Sequence, residues 1–198
     1  MVRRVVAALL VPVRWSPPGV DLTAWRAALA EDVVDLLARL AQAEAAVAAT
    51  ADDLPLAKEI AWPGMRIYEI PTASYLPVLT AATEDGFDQA AVIAADAPDV
   101  PGMILGKLLR PLENKAVAVS AGGPGNGLFG LATALPAPAW LADYDLDTAG
   151  AQIIRRDAPR PGDVSSTPEW RRLRGAAELA SLDPALEGWE NTRALLGG

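Results

Sequence analysis

Two carboxylates, Asp96 and Asp99, close a stretch reading Gln-Ala-Ala-Val-Ile-Ala-Ala-Asp-Ala-Pro-Asp-Val-Pro from Gln89 to Pro101. Carboxylate oxygens are hard donors, so an acidic pair at this spacing suits a divalent cation and the phosphates such a cation neutralises. The unbroken apolar run over 90–95 has the pattern of a strand buried on both faces of a parallel sheet. Pro98 and Pro101 forbid its continuation. Both carboxylates therefore sit where a central strand gives way to a loop, and open α/β sheets bind ligands outside the carboxyl ends of their strands. Asp99 has a second reading, as the cap of a helix beginning near Pro101, because Asp ahead of Pro in a first turn is a start signal.

Composition limits what other chemistry is open. The 198 residues include no Cys and no His, which removes thiol nucleophiles, Ser-His-Asp triads, His general bases and the usual zinc sites. Carboxylate, Arg, Lys, hydroxyl and hard-metal chemistry remain. With 17 basic against 25 acidic residues the net charge is -8. Such a surface repels a phosphate backbone, so nucleic acid is not an expected partner, whereas a nucleotide held by a metal and a few arginines is. The lack of Cys gives no sign of a disulfide-bearing secreted protein.

The elements that must position these groups can be read in order. Arg3-Arg4 and the apolar run 5–13 imitate a signal peptide, but Pro12, Arg14 and Trp15 interrupt it and no small-x-small cleavage site follows. A first buried strand over 5–13 is the better reading. No apolar run approaches the ~18 residues of a bilayer span, and a cytoplasmic protein is expected. After a loop over 14–19, Asp21 or Thr23 caps a helix to about Leu40, with Trp25, Leu29, Val33, Leu36, Leu37 and Leu40 on its inner face. Strands follow at 45–49 and 65–70, separated by an irregular connection that begins at Asp52 and contains Trp62-Pro63-Gly64. Thr72 or Ser74 caps a helix to about Glu84. Beyond the central strand come a helix to about Leu109, strands at 115–120 and 128–132, a short strand near 152–155 and two carboxyl-terminal helices. With 52% hydrophobic residues and no internal repeat or linker, residues 1–198 read as one domain. The alternation predicts a three-layer α/β/α fold with a mainly parallel mixed sheet, in which the strands ending at Val13, Ile70 and Ala95 lie side by side.

Three further segments carry candidate groups. Gly122-Gly123-Pro124-Gly125-Asn126-Gly127 lets backbone approach a ligand closely, yet it is neither G-x-G-x-x-G nor a P-loop; a wide hairpin is the competing reading. Asp143-Tyr144-Asp145-Leu146-Asp147 lacks the EF-hand pattern and reads as a solvated loop. Arg155-Arg156 and Arg171-Arg172-Leu173-Arg174 read as exposed faces, with closure over an anion as the alternative.

The order of these landmarks resembles the GT-A-like nucleotide-diphospho-sugar transferase superfamily, in particular a small bacterial branch of glycosyltransferase A-like proteins. The guanylyltransferases acting on molybdenum cofactor and on 2-phospho-L-lactate are related to it. The stretch from Val92 to Pro101 is similar to the strand ending in Asp-x-Pro-x-x-Pro, whose first Asp binds the metal of the nucleotide. The resemblance thereby places a catalytic, metal-binding role on Asp96, with Asp99 or Asp163 as further ligands. Arg14, Pro18, Gly19 and Thr23 fit the first phosphate-contacting loop; Leu22 and Ala24 stand at its basic positions, which Arg26 partly replaces. Gly125-Asn126-Gly127 stands where family members carry Asp-Gly-Gly, so Gly123, Gly125, Asn126 and Gly127 are the implied acceptor-binding residues. The segment from Asp163 to Trp170 is similar to Asp-Ile-Asp-Thr-Pro-Glu-Asp, with one carboxylate fewer.

The resemblance implies a nucleotide-dependent transferase, glycosyl or nucleotidyl, that uses Mg²⁺ or Mn²⁺ and takes a nucleotide or nucleotide-sugar. Charge stabilisation by a metal and arginines suffices for such chemistry. The alternative implied by the missing basic residues of the first loop and the missing Asp of Asp-Gly-Gly is a catalytically degenerate relative that binds a nucleotide or a protein partner. A scaffold without a small ligand is a third reading.

Overall fold

Strand-forming apolar runs and helices of matching inner faces build one sheet with helices on both sides. The computed structural model describes residues 2–197 of the chain. Its strands are β1 (Arg4–Leu9), β2 (Glu44–Ala49), β3 (Arg66–Glu69), β4 (Gln89–Ala94), β5 (Val117–Ala121), β6 (Leu128–Ala134) and β7 (Val164–Thr167). They lie in the order β3-β2-β1-β4-β6-β5-β7. All pairings are parallel except those of β6, which runs antiparallel to β4 and β5. The expected three-layer, mainly parallel mixed sheet is thus the fold observed.

The helices are α1 (Leu22–Ala38), α2 (Leu54–Ile60), α3 (Tyr75–Glu84), α4 (Gly102–Leu109), α5 (Ala151–Asp157), α6 (Ala176–Ala180) and α7 (Glu190–Leu195). Successive residues of a strand point to opposite faces, and β1 divides accordingly. Val5, Ala7 and Leu9 pack with Val78, Leu79 and Ala82 of α3 and Ile154 of α5. Val6 and Ala8 pack with Val33, Val34 and Leu37 of α1, Ala57 of α2 and Leu105 and Leu108 of α4. A smaller cluster joins Trp25 and Leu29 of α1 to Leu173, with Val13, Trp15 and Val20 of the first loop against it. Among the described residues no helix is long and apolar enough to cross a membrane.

Several local expectations are corrected. The strand predicted over 5–13 ends at Leu9, because Pro12 cannot continue the ladder. The strands ending at Val13, Ile70 and Ala95 are not all neighbours: β1 pairs with β4, but β2 separates it from β3. The irregular connection contains α2, which carries Pro55 in its first turn, where the ring's fixed φ favours helix entry. The strand predicted near 152–155 is helix α5. Strand β7 was not anticipated: its sequence Val-Ser-Ser-Thr has one buried apolar residue, and pairing with β5 rather than hydrophobic alternation holds it. Asp21 does cap α1, accepting from the Ala24 amide at 2.9 Å. At α3 the cap comes from elsewhere, since Asp143 accepts from the Leu76 amide and the Ser74 hydroxyl.

Candidate functional site

Strand order reverses between β1 and β4: β2 and β3 add on one side of β1, and β4 on the other. In open α/β sheets the crevice at such a switch point, outside the carboxyl ends, is where ligands bind. Leu9 pairs in register with Ala94, and the Ala95 amide donates to the Leu9 carbonyl. Asp96 therefore stands at the mouth of this crevice, beside the loop that leaves β1.

What fills the mouth is the chain's own carboxyl-terminal segment. After β7 it crosses the carboxyl ends of β5 and β4, past the amino end of β6: the Trp170 amide donates to the Ala121 carbonyl, the Arg172 amide to Gly122 and the Leu173 amide to Asp96, the last at 2.7 Å. Leu173 sinks between Trp25 and Leu29. Its neighbours in sequence are thereby aimed back at Asp96.

Asp96 and Arg172 are both 0% exposed. Arg172 grips the carboxylate with both arms of its fork, Nε to Oδ1 at 2.8 Å and Nη2 to Oδ2 at 2.9 Å. Arg174 Nε adds a bond to Oδ2 at 2.7 Å. Asp147 closes the cluster from the loop after β6, pairing with Arg172 Nη1 at 2.8 Å and with both terminal nitrogens of Arg174. Asn126 and Leu128 carbonyls accept from Arg172 Nη1 as well. A buried charge is tolerated when paired and hydrogen-bonded on all its arms, and this one is. Burial pushes the Asp96 carboxyl above the usual carboxylate range and the Arg174 guanidinium opposes that shift; Arg172, bonded to both oxygens, opposes it further.

Asp99 repeats the arrangement alongside. It accepts from the Trp170 indole at 3.1 Å and pairs with Arg171, whose guanidinium also lies over the Trp170 ring. Burial raises its carboxyl and Arg171 pulls it back. Asp99 does not cap α4: the cap position is Pro101, without a side-chain bond. The arginines read as exposed faces are thus the core of the site, and Asp147, read as part of a solvated loop, is one of its anchors.

The other sequence-derived candidates separate into two groups. Arg14, Pro18, Gly19 and Thr23 lie exposed in and just after the loop leaving β1. The Val20 amide donates to the Pro17 carbonyl and Gly19 takes φ +84, a turn that needs glycine at that place. Arg26 is committed elsewhere, holding Asp53 through two bonds of 2.6 and 2.7 Å and the Val11 carbonyl. Gly123, Gly125, Asn126 and Gly127 belong to the hairpin loop joining β5 to β6, closed by the Gly122 amide on the Gly127 carbonyl. Asn126 donates to Glu178 at 3.2 Å.

Asp163 lies at the wrong edge. Val92, Leu131, Val119 and Ser166 form one row across the sheet. Asp96 is four residues beyond that row and Asp163 three before it, which puts about 20 Å of strand between their levels. Asp163 pairs with Arg160 there instead.

A divalent cation needs several oxygen donors whose lone pairs face it. Guanidinium groups occupy both oxygens of Asp96, Asp99 is taken by Arg171 and Trp170, and Asp163 is remote. Among the described residues no group of three acidic side chains is placed to hold a metal ion. The residues present do not fit Mg²⁺ or Mn²⁺ at Asp96. Sequence reasoning missed Arg172, Arg174 and Asp147. The available signal was the buried run itself, since an Asp ending a strand apolar on both faces requires a partner of opposite charge.

No protein-family model matches the sequence, and no curated protein does either. Solved structures do match over nearly the whole chain. A candidate nucleotide-diphospho-sugar transferase of Desulfovibrio desulfuricans G20 aligns with TM-score 0.65 at 16% identity, over 100% of this chain and 98% of that one. CMP:2-keto-3-deoxy-manno-octonic acid synthetase, solved with CTP, aligns with TM-score 0.55 at 12% identity, over 99% and 98%. Glucosyl-3-phosphoglycerate synthase of Mycobacterium tuberculosis, solved with Mn²⁺, UDP and phosphoglyceric acid, aligns with TM-score 0.54 at 14% identity, over 98% of this chain and 77% of that one. At such identities the likeness is one of fold, and the fold of this chain is that of the nucleotide-diphospho-sugar transferases and cytidylyltransferases.

Proposed function

We propose that the carboxyl edge of the sheet, at the β1–β4 switch point, binds a nucleotide or nucleotide-sugar. The observation carrying this reading is the loop after β1, at the same sheet edge as Asp96: Arg14 is exposed and enters no ion pair among the described residues, and Pro18 and Gly19 are exposed in the same loop. Arg14 and the Pro18–Gly19 backbone hold phosphate oxygens, with the Thr23 hydroxyl nearby, and the exposed Gly125 end of the hairpin loop borders the acceptor. Neighbouring folds solved with CTP and with UDP are consistent with a ligand of this class.

After binding, two outcomes differ. Glycosyl or nucleotidyl transfer requires charge on the phosphates to be stabilised as it develops. Binding without transfer does not. The closed pairing of Asp96 with Arg172 favours the second, since a carboxylate so engaged neither holds a metal nor takes a proton from an acceptor.

A panel of nucleotides and nucleotide-sugars at millimolar concentration, followed by thermal melting, tests the reading. At least one should raise the midpoint, and Arg14→Ala should weaken its binding about tenfold, the worth of one charge-assisted phosphate contact. A panel without any stabilising ligand contradicts the proposal.

A further inference from the structure

We infer that Arg172 and Arg174 are resident counter-ions of Asp96, occupying the place of a divalent cation, so that this edge binds its ligand without Mg²⁺ or Mn²⁺. The ligand's class rests on the nucleotide reading above; the exclusion of the metal rests on the chain alone.

Charge balance is the first support. Asp96, Asp99 and Asp147 face Arg171, Arg172 and Arg174, three negative charges against three positive. The cluster is self-neutralised and offers a cation no net attraction. A cation placed on Asp96 would meet two guanidinium groups at contact distance, and like charges repel strongly where burial lowers the dielectric.

The second support is that the backbone is shaped around the guanidinium. A Cβ on Gly122 would stand 2.8 Å from Arg172 Cδ and 2.6 Å from the Asn126 carbonyl oxygen, and one on Gly127 would stand 2.0 Å from the Leu146 carbonyl oxygen. These two glycines admit the Arg172 side chain and the Asp147 loop respectively. The third is anchorage: Leu173, between the two arginines, is fully packed against Trp25 and Leu29. Releasing Arg172 from Asp96 therefore means unseating the segment 170–174 from the sheet edge, not rotating one surface side chain.

The test is a Mn²⁺ titration of the wild-type protein, read by the electron paramagnetic resonance signal of free Mn²⁺, alone and with UDP or CTP, against nucleotide-only controls. The protein should hold no Mn²⁺ beyond what the nucleotide itself takes up, and its melting midpoint should be the same in EDTA, Mg²⁺ and Mn²⁺. One equivalent of Mn²⁺ held with submillimolar affinity, or a saturable rise in midpoint with either metal, overturns the inference, and both readouts need only the wild-type chain. If no nucleotide binds, the nucleotide reading fails while the titration with Mn²⁺ alone still decides this one.

Discussion

Arg172 is bonded on every arm: to both oxygens of Asp96, to Asp147 and to backbone carbonyls. Because neither partner touches water, removing one leaves a buried charge with only its remaining partner, Arg174 on Asp96 or Asp147 on Arg172, which costs up to about 3–5 kcal/mol. Arg174 is different in degree, since its side chain is 22% exposed and Arg172 remains on Asp96 without it. Arg172→Met should therefore destabilise the protein more than Arg174→Met, by roughly 2 kcal/mol on the same scale, as read from urea midpoints at matched slopes. Equal losses would mean that the two arginines share Asp96 evenly. At this scale the sequence was partly legible. The run 90–95 announced a buried strand with a carboxylate at its end, and Asp96 is there. The identity of its partner was not, because Arg172 lies 76 positions away and a cluster of arginines in sequence looks alike whether it is solvated or buried.

Elements bring these residues together through two hairpin-like approaches that depend on glycine. Gly127 takes φ +64 and abuts the Leu146 carbonyl, so Gly127→Ala combines an unfavourable backbone conformation with a collision. It should cost well over ~1 kcal/mol by that reasoning, whereas Gly125→Ala, with open space around its Cβ though also at positive φ, should cost less. Chemical denaturation of the two variants checks the ranking. The carboxyl terminus is fastened separately. Asp32, buried within α1, accepts from the Asn191 amide, the Asn191 side chain and the Thr192 amide at 2.8–3.0 Å, capping α7 from another helix. Asp32→Ala should release α7, seen as faster amide exchange over residues 190–195 while β1 and β4 keep their protection. The helix and strand periods disclosed α1, α3, β2 and β4 from sequence. They failed at β7, whose four residues include one buried apolar side chain, and at α5, where Ile153 and Ile154 stand between polar neighbours too few to fix a period.

For the whole molecule, the consequence is a mainly parallel sheet whose carboxyl edge, at the β1–β4 switch point, is bordered on one side by the loop after β1 and on the other by a strap of its own carboxyl-terminal chain. The net charge of -8 leaves the surface acidic, yet three arginines pair with three aspartates at this edge, and of these Arg172, Asp96 and Asp99 are buried. Surface pairs are screened by salt and buried ones much less, so the stability attributable to this cluster should persist at high ionic strength: the gap in midpoint between wild type and Arg172→Met should be nearly the same at low and at 1 M salt. The overall fold was legible because strand and helix alternation is a property of contiguous sequence. The use made of its edge was not, because it depends on which distant segment crosses there.

The most direct measurement is the urea unfolding of Asp96→Asn beside wild type, each in EDTA and in Mg²⁺. Asn is nearly the same size but carries no charge, so the substitution removes the pairing with Arg172 and Arg174 while keeping the packing. The structure predicts a loss of about 3–5 kcal/mol and, for each protein, superimposable curves with and without Mg²⁺. An Asp96→Asn protein as stable as wild type, in a wild type that Mg²⁺ stabilises, would show instead that Asp96 is an open metal ligand and that the arginine lock does not exist in solution.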